Sequence, residues 1–255
     1  MTVTRRTFLK TSAAAGSITV LPFLGHAGGH LPNEFKTPGG MVKVHPVNHA
    51  SVVLETPKGT IYVDPVGDPA QYADFPNADL ILITHEHGDH FNNDTLTALA
   101  AGGVPLITNP AVHGKLARGL TGQATAMANG DSATVLGVGI DAIPAYNLSE
   151  ERKNFHPQGR DNGYVLSLEG FRIYLSGDTE DIPEMRDLKD IDLAFVCMNL
   201  PFTMDANAAA SAVREFRPTY VYPYHYRGRG DGTQDPQAFA EMVGDAAIVK
   251  FGDWY

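Results

Sequence analysis

Short apolar stretches alternate with polar residues from residue 41 onward. Residues 41–45, 51–55 and 60–64 read as strands, and Pro57-Lys58-Gly59 turns the second into the third as a hairpin. Residues 79–84, Asp-Leu-Ile-Leu-Ile-Thr, form a continuous apolar run, the pattern of a strand covered on both faces. A polar cluster begins where that run stops, on a loop at the strand's carboxyl end. Asn92-Asn93-Asp94 then offers capping side chains to a helix through Ala100. Further on, residues 105–109 predict a strand, and Pro110 opens a helix through Arg118 from a first-turn position that tolerates proline. Asn129-Gly130-Asp131 marks a turn before strands at 132–136 and 138–145. A polar segment, 146–162, precedes a hairpin of 163–168 and 171–176. Residues 182–188, 205–216 and 235–244 read as helices, alternating with strands at 192–198, 219–222 and 246–251. Hairpins followed by strand–helix units thus occur twice. That order predicts an α/β chain with two sheets and helices outside both.

Composition sets the class and leaves the pattern intact. The chain has 255 residues, 43% hydrophobic and 19% charged, which suits one substantial soluble domain. Its formal net charge of -10 argues against nucleic acid and anionic membrane surfaces as partners. Residues 1–27 are set aside from the fold. Thr4-Arg5-Arg6-Thr7-Phe8-Leu9-Lys10 matches the twin-arginine export consensus, and residues 11–24 are too short and too weakly apolar for a stable membrane anchor. Gly25-His26-Ala27 offers a cleavage site, after which residues 28–40, rich in Gly and Pro, read as a mobile lead-in to a domain at 41–255. The twin-arginine export machinery is therefore an expected partner, and the expected location is the bacterial periplasm or beyond. The single cysteine, Cys197, ends an apolar run and reads as a small buried hydrophobe.

The chemistry concentrates at His85-Glu86-His87-Gly88-Asp89-His90. Three imidazoles and carboxylates crowded into six residues repel or waste one another unless a cation unites them, and His nitrogen with carboxylate oxygen is a ligand set for Zn²⁺ and its neighbours. His85 and His87 can converge on one ion, while Asp89 and His90 are directed by the next turn towards a second. Gly177-Asp178-Thr179 follows a predicted strand, and a carboxylate there can bridge two cations. Asp64, at another strand end, could orient a ligand histidine.

Thr84-His85-Glu86-His87-Gly88-Asp89-His90 resembles the H-x-H-x-D-H signature of the metallo-β-lactamase superfamily. Segments downstream resemble its branch containing ascorbate-6-phosphate lactonase. The resemblance runs from about residue 41 to the end of the chain. It implies a four-layer αββα sandwich and two divalent ions, Zn²⁺ first, with Mn and Fe as alternatives. By resemblance Asp178 is the bridging ligand, and His225, in Val221-Tyr222-Pro223-Tyr224-His225-Tyr226, the last ligand. The family places one more histidine at the end of the strand before the Gly-Asp-Thr hairpin, where this chain has Ala145-Tyr146-Asn147. His156 is the only histidine between Val138 and Asp178 and is assigned that role.

The implied reaction is attack by a hydroxide held between two ions on an ester, lactone or phosphoester of a small molecule, with Asp89 both ligand and orienter of the nucleophile. His49 resembles a rim position that contacts a ligand or the substrate, and His49 and Tyr224 are the candidates to protonate the leaving group. Arg227 or Arg229 could hold an anionic substrate group. Two alternatives stand beside this one: a thioester hydrolase of the glyoxalase II type, and a non-catalytic metal-binding or sensing protein. The sequence leaves a homo-oligomer open.

Overall fold

A computed structural model describes residues 33–255, so the twin-arginine segment lies outside the described residues. The first half of the described chain contains β1 (Asn33–Thr37), β2 (Gly40–Asn48), β3 (Ser51–Thr56), β4 (Gly59–Val63), β5 (Leu80–Ile83), α1 (Asn93–Leu99), β6 (Leu106–Thr108), α2 (Pro110–His113), α3 (Arg118–Thr121) and β7 (Ala124–Ala126). The second contains β8 (Ser132–Val135), β9 (Val138–Ala145), β10 (Asp161–Leu168), β11 (Phe171–Leu175), α4 (Pro183–Arg186), β12 (Leu193–Cys197), α5 (Ala206–Phe216), β13 (Tyr220–Tyr224), α6 (Pro236–Val243) and β14 (Ile248–Val249).

Each half builds one seven-stranded sheet, β1 to β7 in sequence order and β14 back to β8. In both, the first four strands pair antiparallel and the rest run parallel through crossover helices. Two mixed sheets flanked by helices give the expected αββα sandwich. Side-chain alternation decides which face looks where. Val52, Leu54, Leu80 and Leu82 join the large core with Ile140, Leu166 and Ile173 of the second sheet. Their neighbours Val53, Ile81 and Ile83 turn the other way and pack with Leu96, Val112 and Leu120 of α1, α2 and α3.

Two sequence expectations are corrected here, and one strand is added. The segment read as a mobile lead-in forms β1 from Asn33, paired along its length with β2. Phe35 is buried there, its ring 5.0 Å from that of Tyr220 in the second sheet. The Gly and Pro residues that suggested a linker make its turn, where Thr37 Oγ1 donates to the Gly40 carbonyl. The helix predicted from Pro110 to Arg118 is two short ones. It stops at Gly114, and the Ala117 N–H donates to Asn93 Oδ1 instead of continuing the helix. The short strand β7 had no prediction, its three residues being too few and too small to show a period.

Candidate metal centre

The strand ends of both sheets meet at one edge of the sandwich, and the predicted ligands gather there. After β5, the buried Thr84 leads into the histidine loop, which closes on itself through the His90 and Phe91 N–H groups donating to the His87 carbonyl. Asn92 then caps α1 by accepting from the Asp94 and Thr95 N–H groups, as the sequence predicts. From the other sheet, β11 runs into Ser176-Gly177-Asp178. Gly177 adopts a φ of 61°, and a Cβ there would lie 2.7 Å from the Asn162 carbonyl oxygen and 3.2 Å from Thr84 Cβ. Only glycine lets the two sheets' loops approach this closely. Three non-glycine residues around the site, His49, Asp64 and His225, also hold positive φ. Such backbone persists only where its surroundings fix it.

Among the described residues, three groups of donor atoms lie within 4.8 Å of one another: His85, His87 and His156; His85, His90 and Asp178; and His49, Asp89 and His225. His85 Nε2 and His87 Nδ1 are 3.1 Å apart. Asp178 faces both sides. Its Oδ2 is 3.4 Å from His156 Nε2, while its Oδ1 is 3.4 Å from His90 Nε2 and 3.3 Å from His225 Nε2. Two donors held ~2.1 Å from one ion at a tetrahedral angle are about 3.4 Å apart. His90 Nε2 and Asp178 Oδ1 are buried without a hydrogen-bond partner, a costly state for polar atoms unless a ligand takes them. The residues therefore fit divalent metal.

Outer contacts aim these donors. Asp64 is fully buried; it accepts from the Thr84 N–H (2.7 Å) and Thr84 Oγ1 (2.6 Å), and its Oδ2 lies 2.8 Å from His90 Nδ1. This is the orienting role the sequence suggested for it. Asp161, absent from the sequence candidates, does the same for His156 at 3.1 Å and is itself gripped by Arg160 Nε at 2.7 Å. Asn199, equally unforeseen, places Nδ2 3.2 Å from His225 Nδ1. His49 joins the site: its Nε2 is 3.4 Å from Asp89 Oδ2, its ring centroid 3.9 Å from that of His225, and its Nδ1 2.8 Å from the Tyr255 hydroxyl. No signal in the sequence ties Tyr255 to His49, 206 residues away. Tyr224 is the exception among the predicted residues. It is buried between Phe195 and Trp254, its centroid 6.0 and 5.8 Å from theirs, and it does not line the cavity. Burial pushes its hydroxyl well above the usual tyrosine range, so it is a core residue and a poor proton donor to substrate.

The electrostatics divide the histidines. Burial, then the neighbouring His90, pushes His85 well below the ordinary imidazole value, and burial likewise lowers His87. Burial also opposes charge on His90 and His225, but Asp178 outweighs it, with Asp64 for His90 and Asp89 for His225. His90 is raised, and His225 is raised to about 10. Burial alone would raise Asp178; the charges of His225 and His90 overcome it and hold the carboxyl well below the usual range. Above the cluster opens a cavity of about 310 Å³, walled by Phe155, Phe202, Asn199 and Arg229.

A family model described as a β-lactamase superfamily domain matches residues 43–225. A UPF0173 metal-dependent hydrolase of Pyrococcus abyssi is 34% identical over 218 residues, covering 82% of this chain and 95% of its own length. A UPF0173 metal-dependent hydrolase of Thermus thermophilus is 32% identical over 82% of this chain and 94% of its own. Among solved structures, a candidate metal-dependent hydrolase from Parabacteroides distasonis superposes with a TM-score of 0.80 at 39% identity, over 89% of this chain and all of its own. The metallo hydrolase Igni18 of Ignicoccus hospitalis gives 0.69 at 25%, over 83% and 96%. With the sandwich, the ligand loop and the converging histidines, these likenesses place the chain in the metallo-β-lactamase superfamily, as a metal-dependent hydrolase of its UPF0173 family.

Proposed function

We propose that this hydrolase is dinuclear and cleaves an ester, lactone or phosphoester of a small molecule. The observation that carries the reading is the Asp178 carboxylate, which turns one oxygen to His156 and the other to His90 and His225. One ion would sit with His85, His87, His156 and Asp178, the other with Asp89, His90, His225 and Asp178. When bound, such a pair supplies Lewis acidity and a water whose pKa falls from about 15.7 towards neutrality. The protein's own residues do the rest. Asp89, within 3.5 Å of both His49 Nε2 and His225 Nε2, is placed to orient the nucleophile. His49, partly exposed at the rim and hydrogen-bonded to Tyr255, is placed to pass a proton to the leaving group. Asp64 and Asp161 fix the tautomers of His90 and His156.

Zn²⁺ is the favoured metal on ligand type, although Mn and Fe accept the same nitrogen and oxygen donors. Export is proposed from Arg5-Arg6 and the residues around them, which would put the enzyme in the periplasm or outside the cell. Elemental analysis of purified protein tests the central point. Two ions per chain, both diminished in His156→Ala, support the dinuclear reading. A single ion that survives His156→Ala overturns it.

A further inference from the structure

Three loops frame the cavity above the ligand cluster: 146–160, which carries His156; 199–204, after β12; and 225–233, after β13. They are tied to one another. Asn147 Nδ2 donates to the Phe202 carbonyl at 2.7 Å. The Leu200 N–H donates to the Gly232 carbonyl and the Arg229 N–H to the Leu200 carbonyl, both at 3.0 Å. Gly228 and Gly232 press so hard on Leu200 that a Cβ on either would lie 2.2 or 2.0 Å from its carbonyl oxygen. Glycine is required at both, and the loops cannot slide past each other without breaking these contacts.

This frame presents three side chains whose chemistry the metal ligation does not use. The rings of Phe155 and Phe202 meet edge to face, centroids 5.2 Å apart at 81°. The Arg229 guanidinium carbon lies 5.2 Å from the Phe202 centroid. Among the described residues Arg229 is the one arginine or lysine lining the cavity, which His87, Asp89, His156 and Asp178 also line. Arg227, the other cation weighed from the sequence, does not line it and stacks on Tyr255 at 3.9 Å. Two perpendicular rings make a corner in which a third flat ring can stack on one face and meet the other's edge. A planar guanidinium beside that corner suits a carboxylate or phosphate, which it can bind through two parallel hydrogen bonds. A volume of about 310 Å³ is at the small end for ligand cavities and leaves room for one ring with its substituents.

Resting on the hydrolase reading above, we propose that the substrate is a small aromatic acid derivative. Its ring sits in the Phe155–Phe202 corner, between a scissile ester, lactone or phosphoester at the metal cluster and an anionic group on Arg229. The test compares three acetates of primary alcohols with similar intrinsic lability, using Zn²⁺-loaded protein: 4-(acetoxymethyl)benzoate, benzyl acetate and 6-acetoxyhexanoate. The expected kcat/KM for the aromatic acid exceeds both comparators by about tenfold or more, the scale of one charge-assisted contact. Arg229→Ala should collapse its advantage over benzyl acetate, with Arg229→Lys restoring part, and Phe202→Leu should collapse its advantage over the aliphatic acid. Equal kcat/KM for three esters that are all cleaved overturns this assignment and leaves the hydrolase reading standing. If none is cleaved, calorimetric binding of the corresponding free alcohols decides. The same ranking, lost in Arg229→Ala, upholds the pocket assignment and counts against the ester reading; a flat ranking overturns the pocket assignment.

Discussion

The two sheets have the same strand order and the same switch from antiparallel to parallel pairing, yet equivalent strand ends carry different chemistry. β4 and β11 are counterparts, each the last antiparallel partner before the parallel strands, and each is followed by an aspartate. Asp64, after β4, spends both oxygens on Thr84 and His90 inside the protein. Asp178, after Gly177, leaves Oδ1 without a hydrogen-bond partner, facing His90 and His225. The same residue type at the same topological place is an orienter of His90 in one sheet and, on the reading proposed above, a metal ligand in the other. What differs is the local supply of hydrogen-bond donors. A carboxylate engaged on both oxygens by N–H and O–H groups is less available to a cation than one left short of donors.

That contrast can be broken by substitution. Asp178→Asn should lose metal and lower kcat/KM by about 10³-fold, since a metal's Lewis acidity is worth several kcal/mol and each ~1.4 kcal/mol is tenfold. Elemental analysis with steady-state kinetics reads both. Asp64→Asn should keep the fold by circular dichroism and weaken metal affinity by about 10–100-fold, the usual scale for a residue that orients a ligand. Equal losses in the two variants would dissolve the distinction between them.

A smaller effect sharpens the contrast at the level of the ions. In the metal-free protein His225 keeps its proton up to about pH 10, so that proton stabilises the metal-free fold fully below the unfolded value of 6.5 and ceases to as pH rises through about 10. A cation at Asp89, His90 and His225 must displace it and binds less tightly as pH falls, by about tenfold per unit for one competing proton. Burial shifts His85 and His87 the other way, so protons compete less for the ion beside them. Equilibrium dialysis from pH 8 to pH 6 should therefore release the ion beside His225 first. Simultaneous release of both would show that the two positions do not differ in this way.

The parts of the site visible in the sequence were those whose meaning is local. His85, His87, Asp89 and His90 fall within one loop, so their spacing alone implies a cation, and the Asn92 cap lies in the next turn. Asp178 and His225 needed a strand before each and a family likeness. His156 rests on the family likeness and on being the sole histidine between Val138 and Asp178, because the segment that carries it has no periodicity; it lies beside Asp178. Asp161, Asn199 and Tyr255 escaped because each acts on a partner brought near only by folding, and nothing in their own surroundings in the chain is unusual. Tyr224 misleads for the opposite reason: it is next to His225 in sequence, yet it ends β13 with its side chain packed in the core. β1 was lost because a Pro-Gly-Gly turn looks like a linker until Phe35 is seen to pack across the sandwich.

The seam between the halves has a consequence of another kind. Every strand of the first sheet lies before Met127 and every strand of the second after Asp131. A cut in the turn between them would give two polypeptides, each owning a complete sheet. The first would keep His85, His87, Asp89 and His90, and the second His156, Asp178 and His225, so neither alone would hold the full ligand set of either proposed ion. Fragment complementation of this enzyme would then answer to free metal concentration, with the ions acting as the rivets of a split protein.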